Sequence, residues 1–529
     1  MRRPPLVSGG LVRRTGLAPT VGWLLRTNRV LSPITDLRRA SRFAPAFGGG
    51  SWPHGPVSES RVSRWESGFT PVPHAAVRRY EELLLLPPNT LVAPLDNLYR
   101  YVAAAEPLRL TLCRDTLPDD PSEGLDNLLD LAVAAAPLTG GQWDDLTAAL
   151  VADPRIRLVP SASWSTITDR LVAEMVMSDG VDWLQRHEAL NRLLAHPVGC
   201  QAAIDSCASL ARDRENQVFI ETVCALEATG HPDAARHVFA QLRDPTHQRA
   251  RVGALLAAMR KLTVGHFTEE QVADLVPLVV DLLADRDTAH LAAQLAAGLP
   301  LDRDRRYRQF LARHRTPVTT PPDTLSRQQT LAARIAYAAS AEATHDQVLR
   351  ADPILPVLVE DTLFHPSPDV RLYTRFLVAA TPYRAALAAA LANELGGGRL
   401  RHDPALAEAI LDSLRILGDR RQQPLVERLA IADGVPTAVR VSAAHAVGHL
   451  GDGVARTVVE HAAARLAGPP DGTGGDRPVL EAIIYSLGIN GRDDLLRELA
   501  TDPRLPATAR RSASWWLDRP AYVRRSASR

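Results

Sequence analysis

Between Val57 and Gly68 the chain reads VSESRVSRWESG. Ser58, Glu59, Ser60, Arg61 and Arg64 crowd charge and hydrogen-bonding capacity into seven positions. Their chemistry is that of binding. An arginine fork donates two parallel bonds to a guanine edge, a glutamate accepts from a cytosine amine, and a serine hydroxyl does either. Catalytic constellations are absent from the sequence: it holds no G-x-S-x-G, no H-E-x-x-H and no Walker motif. His445 and His449 stand four apart, a metal-compatible spacing, but no third ligand lies near them in sequence, so a polar helix face is the better reading. Cys113, Cys200, Cys207 and Cys224 form no C-x-x-C pair and sit among apolar residues, which points to free buried thiols in a reducing compartment. The expectation is a non-enzyme with no cofactor and no metal.

Those polar residues need a helix to present them. Ser58 is a good N-cap, since its hydroxyl can accept an orphan N–H of the first turn. At 100° per residue, Val62 and Trp65 share an inward face, and Ser60, Ser63 and Arg64 fall opposite. Gly68 can take the left-handed conformation that ends a helix. Pro71 and Pro73 start a second helix, His74 to Leu86, with Val77, Tyr80, Leu83 and Leu84 inward, and Pro87-Pro88 stops it. Ser58, the free amides at the first helix start, and Arg78 or Arg79 are candidates to hold a phosphate.

The run V-S-x-S-x-V-S-R-W-E-x-G-x-x-P, with its downstream L-x-x-P-P-x-x-L, resembles the XRE (lambda-repressor-like) helix-turn-helix family over residues 18–92. The resemblance implies a double-stranded DNA partner. It implies that Glu59, Ser60 and Arg64 face base edges with Arg61 beside them, and that the protein binds paired half-sites as a homodimer. It also implies that Glu66, before the turn glycine, pairs with an arginine of the first helix: Arg26, with Arg29 as the substitute. The chain departs from the family between its first two helix-turn-helix elements. Ile34–Phe47 is expected as one helix shortened or kinked by Pro45, and the connection Gly48–Pro56 is longer than the family's few residues.

Charge supports the division. Residues 1–92 carry thirteen arginines against five carboxylates, a balance of +8, which leaves −7 for the remainder of a chain whose net charge is +1. A basic head on an acidic body suits a polyanion-binding module joined to something else. Residues 1–17 read as a flexible arm and 18–105 as the head. From 106 to 310 amphipathic helices of 10–18 residues follow one another, and the charged, proline-rich stretch 300–326 marks a break.

From 326 to 520 the sequence repeats itself. Leu417-Gly418-Asp419 recurs 33 positions later at Leu450-Gly451-Asp452, and VPTAVRVSAAHAVGHLGD is one unit. That run resembles HEAT-like repeats, which implies an all-α solenoid in which Arg371, Arg440 and Arg510 pair with acids of neighbouring repeats and Trp515 and Trp516 cap the end. Residues 521–529 read as a disordered tail. The N-terminus lacks the apolar run of a signal peptide, and no stretch approaches the roughly 20 apolar residues of a membrane span, so a cytoplasmic, nucleoid-associated protein is expected. Two functions compete: a DNA-binding transcriptional regulator whose solenoid binds a partner or a second copy, and an interaction scaffold whose helix-turn-helix is a docking module.

Overall fold

Alanine, leucine and arginine dominate the sequence, and all three favour helix. The computed structural model describes residues 16–103, 121–301 (apart from 154 and 286), 305, 307–309, 322–344, 352–397, 403–467 (apart from 452), 476–520 and 523–524. Most of the arm, the start of the body, most of the break at 300–326, Cys113 and most of the tail lie outside that set. Among the described residues the secondary structure is helical, with one isolated bridge between Gly49 and Trp52. No helix there is long and apolar enough to cross a membrane.

The head contains α1 (Leu17–Val30), α2 (Ala40–Phe43), α3 (Glu59–Glu66), α4 (His74–Leu83) and α5 (Val92–Ala103). The single helix expected over Ile34–Phe47 is broken into a 3-10 turn at Thr35–Arg38, the one-turn α2, and a second 3-10 turn at Pro45–Phe47. The cause is local. Arg39 is extended (φ −90°, ψ 128°), and the Arg38 carbonyl accepts from Arg29 Nη1 instead of from a ladder N–H. The long Gly48–Pro56 connection folds onto the head. Trp52 is buried and stands edge-on to Phe47 and Trp65 at 5.4 and 5.7 Å, and its Nε1 donates to the Gly55 carbonyl at 3.2 Å. Phe43 and Tyr80, 4.7 Å apart, extend the same aromatic core.

The described helices of the body stack on one another as an α-solenoid, and nearly all of their buried apolar residues belong to one core continuous with the head, with Ala93, Leu184 and Phe376 forming a small second cluster. In the second half the helices 368–379, 404–417, 437–447, 476–489 and 507–517 line up as one row, each touching the next. The first half does not trail away from this row as a simple curved array would. It packs alongside it. Trp183 stacks on Phe376 at 5.9 Å, Arg260 Nε donates to Asp369 Oδ2 at 2.8 Å, His449 Nδ1 meets Asp179 Oδ2 at 2.7 Å, and Trp515 Nε1 donates to Asp213 Oδ2 at 2.7 Å.

Arg371 and Arg440 reach backbone carbonyls, while the charge of Arg371 also interacts with Asp412 on the next repeat's helix and with Asp369, and that of Arg510 with Asp502. Arg371 Nη1 donates to the carbonyls of His365 and Pro366, and Arg440 Nε donates to the Ala430 carbonyl at 3.2 Å. They tie helix ends within a repeat. A buried carbonyl left without a donor costs about as much as a lost hydrogen bond, and these arginines supply the donor. Trp516 is buried at the end of the array as expected, and Trp515 reaches across to the first half.

The head is held against both halves. Trp23 Nε1 donates to Asp352 Oδ2 at 2.7 Å, and Asn28 Nδ2 donates to the Ala380 carbonyl at 2.9 Å. From α5, Arg100 donates to Glu188 at 2.9 Å and to Glu227. The Tyr101 ring lies between two guanidiniums, Arg100 and Arg260, each 4.7 Å from its centroid, and faces Tyr373 at 6.2 Å. Tyr99 and Tyr101 are packing residues.

Candidate recognition surface on the head

Helix α3 forms as its sequence dictates. Ser58 is extended, and its Oγ accepts from the Arg61 amide at 3.2 Å. Val62 and Trp65 are buried, whereas Glu59, Ser60, Arg61, Ser63 and Arg64 are exposed. The helix touches α1 and α2 and presents its polar face to solvent. Gly68 has φ +71°, and a Cβ there would lie 2.4 Å from the Pro19 nitrogen, so glycine is required both by conformation and by the close pass of α1. Gly22 makes the reciprocal approach: a Cβ on it would stand 2.6 Å from the Glu66 carbonyl oxygen.

Glu66 anchors the far end of α3. It accepts from Arg29 Nε and Nη2, both at 2.6 Å, and from the Tyr80 hydroxyl at 3.1 Å. The pair is buried on both sides. Burial alone would weaken the Arg29 charge, but its bond to Glu66 outweighs that and raises its pKa. Burial, with the Glu66 charge beside it, pushes the Tyr80 hydroxyl well above its usual range. Arg26, the first arginine named for this role, is exposed; the substitute, Arg29, makes the contact.

Two other basic residues are placed differently from expectation. Arg61 lies over the Trp52 and Trp65 rings, 5.1 Å from each centroid, a double cation–π contact that draws its charge back toward the helix. Arg79, expected at a phosphate, makes four internal hydrogen bonds: to the carbonyls of Phe47 at 2.9 Å, Ala46 at 3.0 Å and Gly48 at 3.0 Å, and to Glu82 at 2.8 Å. It caps the turn at Pro45–Phe47 and is not free for a phosphate. Arg78 is half-buried, and its charge acts on Glu81 one turn along the same helix.

The surface as built thus offers Glu59, Ser60 and Arg64 outward, Ser58 at the helix start, and Arg78 on the neighbouring helix. Sequence reasoning missed one further member. Phe69, in the turn after α3, is 78% exposed, and its amide donates to the Arg64 carbonyl at 2.9 Å. A phenylalanine following a turn glycine was the available signal.

Elsewhere, His445 and His449 face the first half of the body, against Arg249 and Asp179 respectively. Groups of three potential metal ligands are absent among the described residues. Cys207 and Cys224 are buried free thiols whose pKa burial pushes up to about 12, and Cys200 is half-buried.

No family model matches the chain, and no curated protein matches it. Among solved structures, a crystal structure of importin beta aligns with 96% of this chain and 58% of its own, at 13% identity and a TM-score of 0.21. The chain therefore spans less than two thirds of that protein's length. The solenoid assignment rests on the helix contacts described above.

Proposed function

We propose that the protein is an interaction scaffold, a solenoid that binds protein partners and carries a small helical head as a docking module. The observation that carries this reading is where the head's cations go. Arg29, Arg38, Arg61 and Arg79 are engaged by Glu66, the Ser32 carbonyl, two tryptophans and a helical turn. Arg29 and Arg79 are paired with carboxylates, Glu66 and Glu82, and Arg38 and Arg61 keep their charge but hold it against the head's own carbonyl and rings, with Glu59 beside them on α3. The head is fixed to both halves of the body, which suits a rigid composite surface.

A second reading, a DNA-binding transcriptional regulator, is favoured by a specific observation: α3 is capped by Ser58 and leaves Ser60 and Arg64 exposed. The homodimer on paired half-sites belongs to this reading.

A gel shift on genomic fragments over a salt series separates the two. The scaffold predicts no shift at low micromolar protein. The regulator predicts a shift whose affinity falls steeply with salt, because each phosphate neutralised releases counterions.

A further inference from the structure

The seam between the two halves changes character along its length. At the head end it is dry. Ala93 of α5, Leu184 and Phe376 form an apolar cluster with Trp183 and Leu372 packed on it. Arg260, which lies over the Tyr101 ring of α5, meets Asp369 there, and the two side chains are only 11% and 16% exposed. Helix α5 touches both 180–195 and 368–379, so the head closes this end. Midway, the His449 side chain is buried, but Asp179, which it meets at 2.7 Å, is 47% exposed. At the far end Arg511 Nε meets Glu215 Oε1 at 3.0 Å with side chains 55% and 45% exposed.

Polarity is sorted as well. At the far end the first half brings the carboxylates and the second half the donors. Asp213 accepts from Trp515 Nε1 at 2.7 Å and Glu215 from Arg511. Arg519, 4.3 Å from the Trp515 ring centroid, sets its charge against Asp213. Asp179 and His449 keep the same polarity midway, where Arg249 on His445 runs the other way. Helix 507–517 packs closely on its own neighbours, 476–489 and 493–501, and reaches the first half through side chains. Ion pairs this exposed are screened by salt and hold two surfaces together only weakly. Dry apolar contacts and buried pairs, as at the head end, are costly to break. A polar interface within one chain lets its two sides move, and here only the far end has that character.

We propose that the far end of the seam is a clasp: Asp213 and Glu215 hold Trp515 and Arg511, this contact parts while both halves stay folded, and the head end stays closed as the pivot. When shut, the first half masks the face of the row that carries His449 and Trp515. The contact is therefore autoinhibitory, since a partner seated on that face must displace the chain's own acids. That use of the clasp rests on the scaffold reading, whereas its motion does not.

Hydroxyl-radical footprinting of the full chain reads the two ends separately, because Trp515 lies at the clasp and Trp183 at the pivot. Raising salt from 50 mM to 1 M should increase Trp515 oxidation about threefold relative to Trp183, and the radius of gyration from solution X-ray scattering should rise with it. Glu215→Arg sets like charge against Arg511 at exposed positions, and should raise Trp515 oxidation about fivefold at 50 mM salt with the helical circular dichroism unchanged. Adding Arg511→Glu should restore protection. No partner and no DNA takes part, so the clasp can fail here while the scaffold reading stands, and the gel shift can overturn that reading while the clasp stands. Trp515 oxidation that stays at the parent's low-salt level both in Glu215→Arg and at 1 M salt overturns the proposal. An equal rise at Trp183 also overturns it, because the seam then has no pivot, as does loss of helical signal in Glu215→Arg, because the halves then do not stay folded when the contact parts.

Discussion

Glu66 is the residue whose part in the head is easiest to test. Its carboxylate is buried and takes three hydrogen bonds from two side chains. Removing one member of such a pair strands the other charge, so Glu66→Ala should destabilise the protein by about 3–5 kcal/mol in urea unfolding. Arg26→Ala, at an exposed position, should stay within about 0.5 kcal/mol. An unchanged midpoint for Glu66→Ala would remove the pair from the account of the head. The glutamate was legible from the motif. Choosing its partner was not, because Arg26 and Arg29 lie about 60° apart on the helical wheel and the choice depends on how α1 crosses α3 at Gly22. Arg79 shows the same limit: its charge and half-exposed helix suggested a phosphate, whereas three backbone carbonyls claim it. Arg79→Ala should therefore cost about 1–3 kcal/mol of stability and leave any salt slope of DNA binding unchanged. A salt slope lowered by about one would restore it as a phosphate ligand.

Among elements, the repeats were legible because most start on a proline and two of them end on the same L-G-D, 33 positions apart. The broken segment Thr35–Phe47 was not, because an arginine from another helix takes one of its carbonyls. Gly448 and Gly488, 40 positions apart, lie where successive helices of the row pass close to one another. A Cβ on Gly448 would lie 2.7 Å from Ser486 Oγ, and one on Gly488 would lie 2.0 Å from Trp516 Cδ2. Two effects compete at Gly488. Alanine in a helix interior is better than glycine by about 1 kcal/mol, but overpacking a filled core costs about 1–3 kcal/mol. At 2.0 Å from a ring carbon of a buried tryptophan, packing should win. Gly488→Ala should lower the urea midpoint and change the near-ultraviolet signal of Trp516. A rise in midpoint would mean that the last repeat has room to shift.

At the scale of the whole molecule, the two halves meet through residues separated by up to 302 positions, as with Asp213 and Trp515. No local pattern announces such a pairing, so the sequence alone could indicate stacking within each half but not the packing of one against the other. That seam contains histidines with a common property. His187 stacks on Trp183 at 5.0 Å and faces Arg100 and Arg260; burial, then those charges, holds it well below 6.5. Burial, then Arg249, Arg415 and His449, does the same to His445. At His449 burial outweighs the opposing pull of Asp179, with Arg415 adding to the lowering. All three are neutral in the folded protein at pH 7, while the unfolded chain protonates near 6.5. As pH falls below 6.5 the unfolded state therefore takes up protons that the folded state refuses, and stability that is complete above 6.5 is lost. The loss grows as pH falls from 6.5, so the urea midpoint should drop clearly between pH 7.5 and 5.5. His445→Gln should flatten that dependence by close to one proton. A midpoint that does not move over this range, or moves upward, would mean that the seam accommodates charged histidines and that the halves are held by its apolar contacts, such as Trp183 on Phe376, and not by its polar ones.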